Sequence, residues 1–226
     1  APSTDGDPSA VAGVARDAPP VLPTFLKLAG RKVLLVGGGP VATSKFPALV
    51  EAGALVTIVA PELQPALVTA AGAAGTIILQ RGFLPDDLAG VWYVVAAAPP
   101  EVNRQVLAAA EPRCLFVNAV DDPPAATAYA GAVVRRGPVI LAISTAGAAP
   151  ALAGLLKEAL AAVLPEDIDR WGTVAQAARA AWKRDGAPMA TRRPLLLEAL
   201  NRLYQVPAPT SEVMLSSPGS DGSARS

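Results

Sequence analysis

The stretch VLLVGGGPVA, residues 33–42, decides how this chain folds. A short apolar run leads directly into three glycines, and apolar side chains then recur at helical spacing as far as residue 53. A strand that turns through glycines into a helix is typical of the dinucleotide-binding fingerprint G-x-G-x-x-G/A. Gly37 stands where the chain must turn tightly, Gly39 where backbone approaches a pyrophosphate, and Ala42 where the helix packs closely on the strand. Amide groups at the start of that helix would offer partial positive charge to a phosphate.

Strands and helices continue to alternate after this turn. Apolar runs bounded by glycine, proline or aspartate predict five strands, at 32–37, 54–61, 76–82, 91–98 and 114–120. Helical spacing predicts helices between them, at 41–53, 62–74 and 101–111. This alternation indicates an α/β fold, a Rossmann-like doubly wound parallel sheet.

The pattern changes after the fifth strand. Residues 127–145 are typical of a β-hairpin that turns at Arg136-Gly137-Pro138, and helices are predicted at 151–164, 166–185 and 190–204. Residues 1–20 and 206–226 carry too little apolar surface to repay the entropy of ordering, so we expect both to be disordered. The predicted regions between them are a NAD-binding Rossmann domain at 21–126, a hairpin at 127–147 and a helical domain at 148–205.

Composition excludes several classes of protein. Formal net charge is zero, so we expect neither nucleic acid nor an anionic membrane as a partner. The chain has no histidine, which excludes Ser-His-Asp and Cys-His catalysis and leaves a carboxylate, lysine or tyrosine as general base. One cysteine, Cys114, fits a reducing compartment. No apolar run reaches the roughly 18–20 residues of a membrane span, and residues 1–20 do not resemble a signal peptide. We therefore expect a soluble, cytoplasmic protein.

An acidic residue follows the second predicted strand. Glu62 stands 23 positions after Gly39, where a carboxylate can bind a ribose hydroxyl. No arginine or lysine neighbours it to receive a 2′-phosphate, which favours NAD over NADP. Glu62 could equally be an ordinary acid in the first turn of a helix. Ala97, at the end of the fourth strand, is a further candidate for contact with the cofactor. No tyrosine has a lysine four residues later, so the short-chain dehydrogenase pair is excluded.

Two aspartates follow the fifth strand, in VNAVDDPPAA at residues 117–126. Ligands of doubly wound sheets bind beyond the carboxyl ends of the strands, so Asp121 and Asp122 are placed for function. Adjacent acids on a loop are also common in solvated turns and helix caps. The pattern alone leaves both interpretations open.

Several segments together resemble one known family. They are KVLLVGGGPVATSK, AGALVTIVAPEL, VNRQV, VNAVDDP, RRGPVILAISTAGAAPALA and LLKEAL, and they stand in the family's order between residues 22 and 164. The chain resembles the precorrin-2 dehydrogenase family, which includes the N-terminal module of siroheme synthases. The resemblance implies NAD-dependent oxidation of the tetrapyrrole precorrin-2 to sirohydrochlorin. It also implies a homodimer in which the region after the sheet forms the interface and closes the cleft.

The resemblance also assigns residues. The family's catalytic acid/base falls on Asp121 and the asparagine of the same motif on Asn118. Its nucleotide contacts fall on Gly39, Pro40, Val41, Pro61 and Glu62. Some members insert ferrous iron at the same site; without histidine, a metal contact would fall to oxygens such as those of Asp121. The sequence leaves iron insertion open.

The carboxylates of such a substrate call for basic and polar partners. Candidates are Arg135, Arg136 and Lys157, each of which could instead be a solvated surface charge. Ser144 and Thr145 are further candidates, with a helix cap as the alternative role.

The chain departs from the family in two places. Ala146-Gly147 stands where the family has two glycines, and TAYAGAVV lacks the family's proline before the hairpin. Three other hypotheses remain: a dehydrogenase that leaves iron insertion to a separate chelatase, an NAD-sensing module without catalysis, and a structural remnant that binds neither ligand.

Overall fold

The computed structural model describes residues 21–205. The predicted disorder of residues 1–20 and 206–226 falls outside that range. Within it, no helix combines the length and apolar character needed to cross a membrane.

A parallel sheet of five strands in the order β3-β2-β1-β4-β5 forms the centre of the first half of the chain. The strands are β1 (Lys32–Val36), β2 (Leu55–Val59), β3 (Ile77–Leu79), β4 (Tyr93–Ala96) and β5 (Phe116–Ala119). All five predicted strands are therefore confirmed, each shorter than the apolar run that indicated it. The order reverses between β1 and β4, whose residues pair from Val33 with Tyr93 to Val36 with Ala96. Ligands of such sheets bind beyond the strand ends at this reversal.

Helices cover both faces of the sheet, which explains the continuous apolar runs in its strands. The helices are α1 (Pro40–Glu51), α2 (Pro65–Ala73) and α3 (Pro100–Ala110). Successive strand residues point to opposite faces. Leu35 packs with Phe46 of α1 in one core, whereas Leu34 packs with Val106 of α3 in the other, and both leucines are fully buried. Loss of either leucine side chain would cost about 2–5 kcal/mol.

A two-stranded hairpin and three helices follow the sheet, as predicted. The hairpin strands are β6 (Ala132–Arg136) and β7 (Val139–Ile143), and Gly137 lies in the turn between them with a φ of 51°. The helices are α4 (Pro150–Val163), α5 (Ile168–Asp185) and α6 (Met189–Asn201).

The chain divides into two compact units. The first contains the sheet, α1 to α4 and the bases of the hairpin strands, up to Val134 and again from Leu141 to Val163. Within the described residues, the second contains the hairpin tip, Arg135–Ile140, and residues 164–205. This grouping divides both the predicted hairpin region, 127–147, and the predicted helical domain, 148–205, between the two units. The bounds of these regions stay predictions.

Candidate active site

The glycine turn after β1 touches backbone on both sides. A Cβ atom on Gly37 would lie 2.2 Å from the carbonyl oxygen of Ala97, and one on Gly38 would lie 2.0 Å from that of Glu62. Gly37 also has a φ of 122°, which side chains rarely adopt. Gly39, in contrast, has no atom within 4 Å of its Cβ position. The turn is therefore closed toward the protein and open at Gly39, where a phosphate group would approach.

Helix α1 begins directly at this opening. Gly39 is its N-cap residue and Pro40 its first residue, so proline replaces an amide that has no acceptor within the helix. Val41 is exposed, whereas Ala42 is completely buried against the sheet. The small residue at the third fingerprint position thus permits close helix–strand packing, as the motif predicts. The exposed helix start directs partial positive charge toward the opening.

A cavity of about 440 Å³ lies at the carboxyl ends of β1, β2 and β4. Its walls are the glycine turn and side chains that include Pro61, Glu62, Phe83, Pro99 and Val102. Glu62 supplies a carboxylate at the rim, and no arginine or lysine belongs to the described lining. The open cradle at Gly39, the apolar walls and the acidic rim suit the phosphate, base and ribose of a dinucleotide.

The loop that supplies Phe83 is held by an ion pair. The Arg81 guanidinium donates to both carboxylate oxygens of Asp87, at 2.9 and 2.6 Å, and the Leu84 amide donates to the same carboxylate at 2.8 Å. The hydrogen bond from Arg81 lowers the pKa of Asp87 below its usual value, and the bond from Leu84 acts in the same direction against burial. Arg81 is therefore held by Asp87 beside the loop.

A second cavity, of about 220 Å³, lies at the end of β5. Asn118, Asp121 and Asp122 line it from the sheet side, Tyr129 from the segment before the hairpin, and Lys45 from α1. Lys45 is the single cation in the described lining. The cavity thus combines two carboxylates with one ammonium group and an aromatic ring.

Backbone geometry presents Asp121 to this cavity. Its φ is 58°, in the left-handed region that aspartate tolerates better than most residues, and its side chain is exposed. On one side the amide of Val120 donates to Ala96 of β4 at 2.9 Å. On the other, the Val117 amide donates to the Thr127 hydroxyl at 2.8 Å. The turn is therefore anchored at both ends, and such conformations concentrate at functional sites.

The asparagine of β5 lies deeper than the aspartates. Asn118 is only 6 % exposed and hydrogen-bonds Tyr93 of β4. Burial raises the pKa of Tyr93 to about 12, and the bond to Asn118 acts against that rise. Tyr93 therefore stays protonated at neutral pH and does not act as a base there.

Comparison with known proteins identifies the family. A family model described as putative NAD(P)-binding matches residues 24–132. Siroheme synthase 3 of Aeromonas hydrophila is 42% identical over 173 residues, which are 76% of this chain and 37% of that protein. A siroheme synthase of Photorhabdus laumondii is 40% identical over 181 residues, 80% of this chain and 38% of that protein. The chain spans less than two fifths of the length of these curated relatives.

A solved structure extends the likeness to the fold. SirC, precorrin-2 dehydrogenase, is 26% identical with a TM-score of 0.62, and the match covers 81% of this chain and 92% of that one. The chain belongs to the precorrin-2 dehydrogenase family. The resemblance inferred from the sequence motifs is confirmed, and so is the Rossmann-like fold class.

The predicted site residues fall into two groups in the structure. Gly37, Gly39, Pro61, Glu62 and Ala97 line the first cavity, beside Pro40, Val41 and Ala42 at the start of α1. Asn118, Asp121, Ser144 and Thr145 line the second. Thr145 also accepts the Ala149 amide at 3.1 Å and so shapes the turn before α4.

Three predicted substrate contacts lie elsewhere. Lys157 is exposed on α4 and does not line either cavity. Arg135 and Arg136 belong to the second unit, where the Arg136 guanidinium donates to the carbonyl of Leu164. Their roles stay predictions.

Sequence reasoning missed Lys45, Phe83 and Asn103. Lys45 lies on α1, three residues after Ala42, and the predicted role of that helix rested on the glycine turn before it and not on this lysine. Phe83 follows a strand that carries no motif. Asn103, which is 1% exposed, stands in VNRQV, one of the segments that resemble the family.

Proposed function

We propose that this chain oxidises precorrin-2 to sirohydrochlorin with NAD as the hydride acceptor. NAD supplies the nicotinamide that receives the hydride; the protein must hold it, orient the macrocycle and accept a proton. The observation that carries the proposal is the adjacency of two cavities on neighbouring strands. A dinucleotide cradle lies at the ends of β1 and β4, and a carboxylate pair lies at the end of β5 beside β4.

The first cavity would hold NAD through the residues that the fingerprint predicts. Gly37 and Gly39 allow the pyrophosphate to approach, and the amides of Val41 and Ala42 face it at the helix start. Glu62 would accept hydrogen bonds from the ribose hydroxyls. Since its lining contains Glu62 and no cation, the cavity favours NAD over NADP. The remaining contacts proposed for NAD are Pro40, Pro61, Ala97 and Asn118.

Asp121 would be the general base. A hydride leaves a carbon of the macrocycle with its electron pair, and a proton must leave the macrocycle as well. The exposed Asp121 carboxylate faces the cavity from a fixed turn and can take that proton without histidine. Lys45, on the same cavity, would pair with a substrate carboxylate. Ser144 and Thr145 would contact the substrate from the other wall.

We also propose a homodimer. Only Ala153 of α4 is buried, whereas Leu152, Leu155, Leu156, Leu160 and Val163 expose between 39% and 79% of their surface. Their spacing places these residues along one side of the helix. Ala153 lines the second cavity, which at about 220 Å³ is too small to enclose four pyrrole rings. A second copy that covers α4 would bury this surface and extend the cleft for the substrate.

Iron insertion stays a prediction, with ferrous iron as a second substrate. Among residues 21–205, no three His, Cys, Asp or Glu side chains cluster so that they could hold a metal ion. Asp121 would be the metal contact if the reaction occurs. A cytoplasmic location also stays a prediction, supported by the single cysteine.

An anaerobic assay with precorrin-2 and NAD tests the proposal, with NADH and the tetrapyrrole followed by absorbance. The wild-type chain should form NADH and sirohydrochlorin together. Asp121→Asn should lower kcat by ~100-fold or more, since general bases contribute about 10²–10⁴-fold. Asp86→Asn, which changes an exposed aspartate outside both cavities, is the matched control.

Each failure has a separate meaning. Full turnover by D121N would reject Asp121 as the base and leave the activity standing. NAD binding without NADH formation by the wild-type chain would reject the activity and favour a sensing module. No NAD binding by calorimetry would favour a structural remnant. Ferrous iron added afterwards separates a dehydrogenase from a bifunctional enzyme, because only the latter converts the product to siroheme above the protein-free rate.

A further inference from the structure

One buried amide joins the two cavities. Asn103 of α3 is 1% exposed, which makes it one of two buried polar residues in the described part of the chain, with Asn118. An amide side chain without partners in such a place would cost at least about 1–3 kcal/mol. Its partners therefore explain why an asparagine stands among the alanines and valines of this helix face.

The two ends of that amide bond to residues that line different cavities. Its Oδ1 accepts the backbone amide of Ala98 at 3.2 Å, and its Nδ2 donates to Oδ2 of Asp122 at 3.4 Å. Ala98 lines the first cavity, which we call the nucleotide cavity, and Asp122 lines the second cavity, together with Asp121. An N–H needs an oxygen and a carboxylate needs a donor, so the two partners admit only one orientation of the amide.

We infer that Asn103 is a positioning residue. It holds the loop after β4, which contains Ala98, in register with the Asp121-Asp122 turn after β5. This inference rests on the proposed function, because the register matters only if a hydride and a proton leave one substrate. Reacting atoms must come within about 3–3.5 Å in aligned geometry, and a displacement of about 1 Å can cost ~100-fold in rate. The loops after β4 and β5 meet at this point, and Asn103 contacts both.

The contact also separates the roles of the two aspartates. Asn103 holds the half-buried Asp122 carboxylate toward α3, while Asp121 is exposed on the cavity. A positioned Asp122 leaves one carboxylate directed at the substrate. Without the amide, Asp122 would be able to turn toward Asp121 and the cavity.

Two substitutions test the inference against a merely structural role. Asn103→Leu keeps the volume and removes both hydrogen bonds; kcat should fall ~10- to 100-fold, with a much smaller change in KM for NAD. Asn103→Asp keeps the acceptor for Ala98 but sets a carboxylate against that of Asp122. Adjoining carboxylates retain a proton more readily than one alone. A protonated N103D side chain can donate to Asp122 as asparagine does, so its activity relative to wild type should rise as the pH is lowered.

The controls separate positioning from stability. Gln105→Leu makes the same amide-to-aliphatic change at an exposed position of α3 and should leave kcat and its pH profile unchanged. N103L should show no recovery at low pH relative to wild type, because leucine has nothing to protonate. A flat N103D-to-wild-type ratio across pH, or a full kcat in N103L, would overturn the inference.

A measurement without turnover keeps the test independent of the proposed activity. Hydrogen exchange at the Ala98 amide should be faster in N103L than in wild type, and N103D should retain the protection. Unchanged exchange at Ala98 in N103L would overturn the tie between the loops, even if precorrin-2 proves not to be the substrate. If N103L does not fold, N103D and its pH dependence decide the matter.

Discussion

At the scale of single residues, backbone conformation explains one departure from the family pattern. Ala146 and Gly147 have φ values of 52° and 82°, so both adopt the left-handed conformation after β7. Two glycines would take this turn without strain, whereas a Cβ at Ala146 makes it unfavourable by roughly 1–2 kcal/mol. The family's glycine pair therefore has a physical reason that the sequence alone does not show.

Ala146→Gly should raise the free energy of unfolding by about 0.5–1 kcal/mol, because relief of strain exceeds the entropy that glycine adds to the unfolded chain. Urea unfolding followed by circular dichroism would measure the change. Ala148→Gly is the matched control, since Ala148 is exposed and its φ is not positive. It should be neutral or destabilising, and an equal gain from both substitutions would contradict the explanation from strain.

At the scale of elements, the loop after β3 shows how an ion pair shapes a cavity wall. Arg81 and Asp87 join the two ends of the loop, and Phe83 between them lines the nucleotide cavity. The side chain of Asp87 is only 6% exposed, so its pairing with Arg81 is screened less than that of an ordinary surface pair. The loop therefore depends on the charge of one carboxylate.

Asp87→Asn should lower the thermal midpoint by a few degrees at neutral pH. Because pairing with Arg81 lowers the pKa of Asp87 in the folded state, the stabilisation is present above the unfolded-state pKa. It is lost as the pH falls through the lower folded-state pKa. The difference between wild type and D87N should therefore disappear in acid, and Asp86→Asn should show no such dependence. A difference that persists unchanged in acid would contradict the role of this ion pair.

At the scale of the whole molecule, the apolar side of α4 is a surface that a single chain leaves exposed. Helix α4 exposes five large apolar residues, whereas the sheet helices expose only Val41 and Val50 on α1 and Val68 on α2. Monomeric proteins rarely expose an apolar surface of this kind without a partner. A twofold interface would cover the same residues on both copies.

Leu155→Asp should convert the proposed dimer to a monomer, because it sets an unpaired charge on a buried apolar interface. Analytical ultracentrifugation at micromolar concentration would show the shift in mass. Leu197→Asp is the matched control on α6, since Leu197 is similarly exposed at 60%, compared with 64% for Leu155. A wild-type monomer, or an L155D chain of unchanged mass, would reject α4 as the interface.

Much of the nucleotide site could be predicted because its chemistry is local. The strand, the glycines and Ala42 are consecutive in the chain, and their steric reasons act between near neighbours or adjacent strand ends. Asp121 could also be located, because it directly follows a strand whose carboxyl end must lie at the ligand edge. Phe83, Lys45 and Asn103 could not, because each gains its role from a residue distant in sequence.

The sequence by itself determined the fold class, the parallel direction of the strands, the fingerprint turn and the family, since periodicity and motif spacing act over short stretches. Only the tertiary structure decided that Asn103 reaches from α3 to both cavities and that Lys45 lines the aspartate cavity. It also decided that Asp121 and Ala146 take left-handed conformations. The reason is physical, because a hydrogen bond or a cavity wall depends on which side chains lie close together in space. Packing of the helices against the sheet determines which residues distant in sequence come into contact.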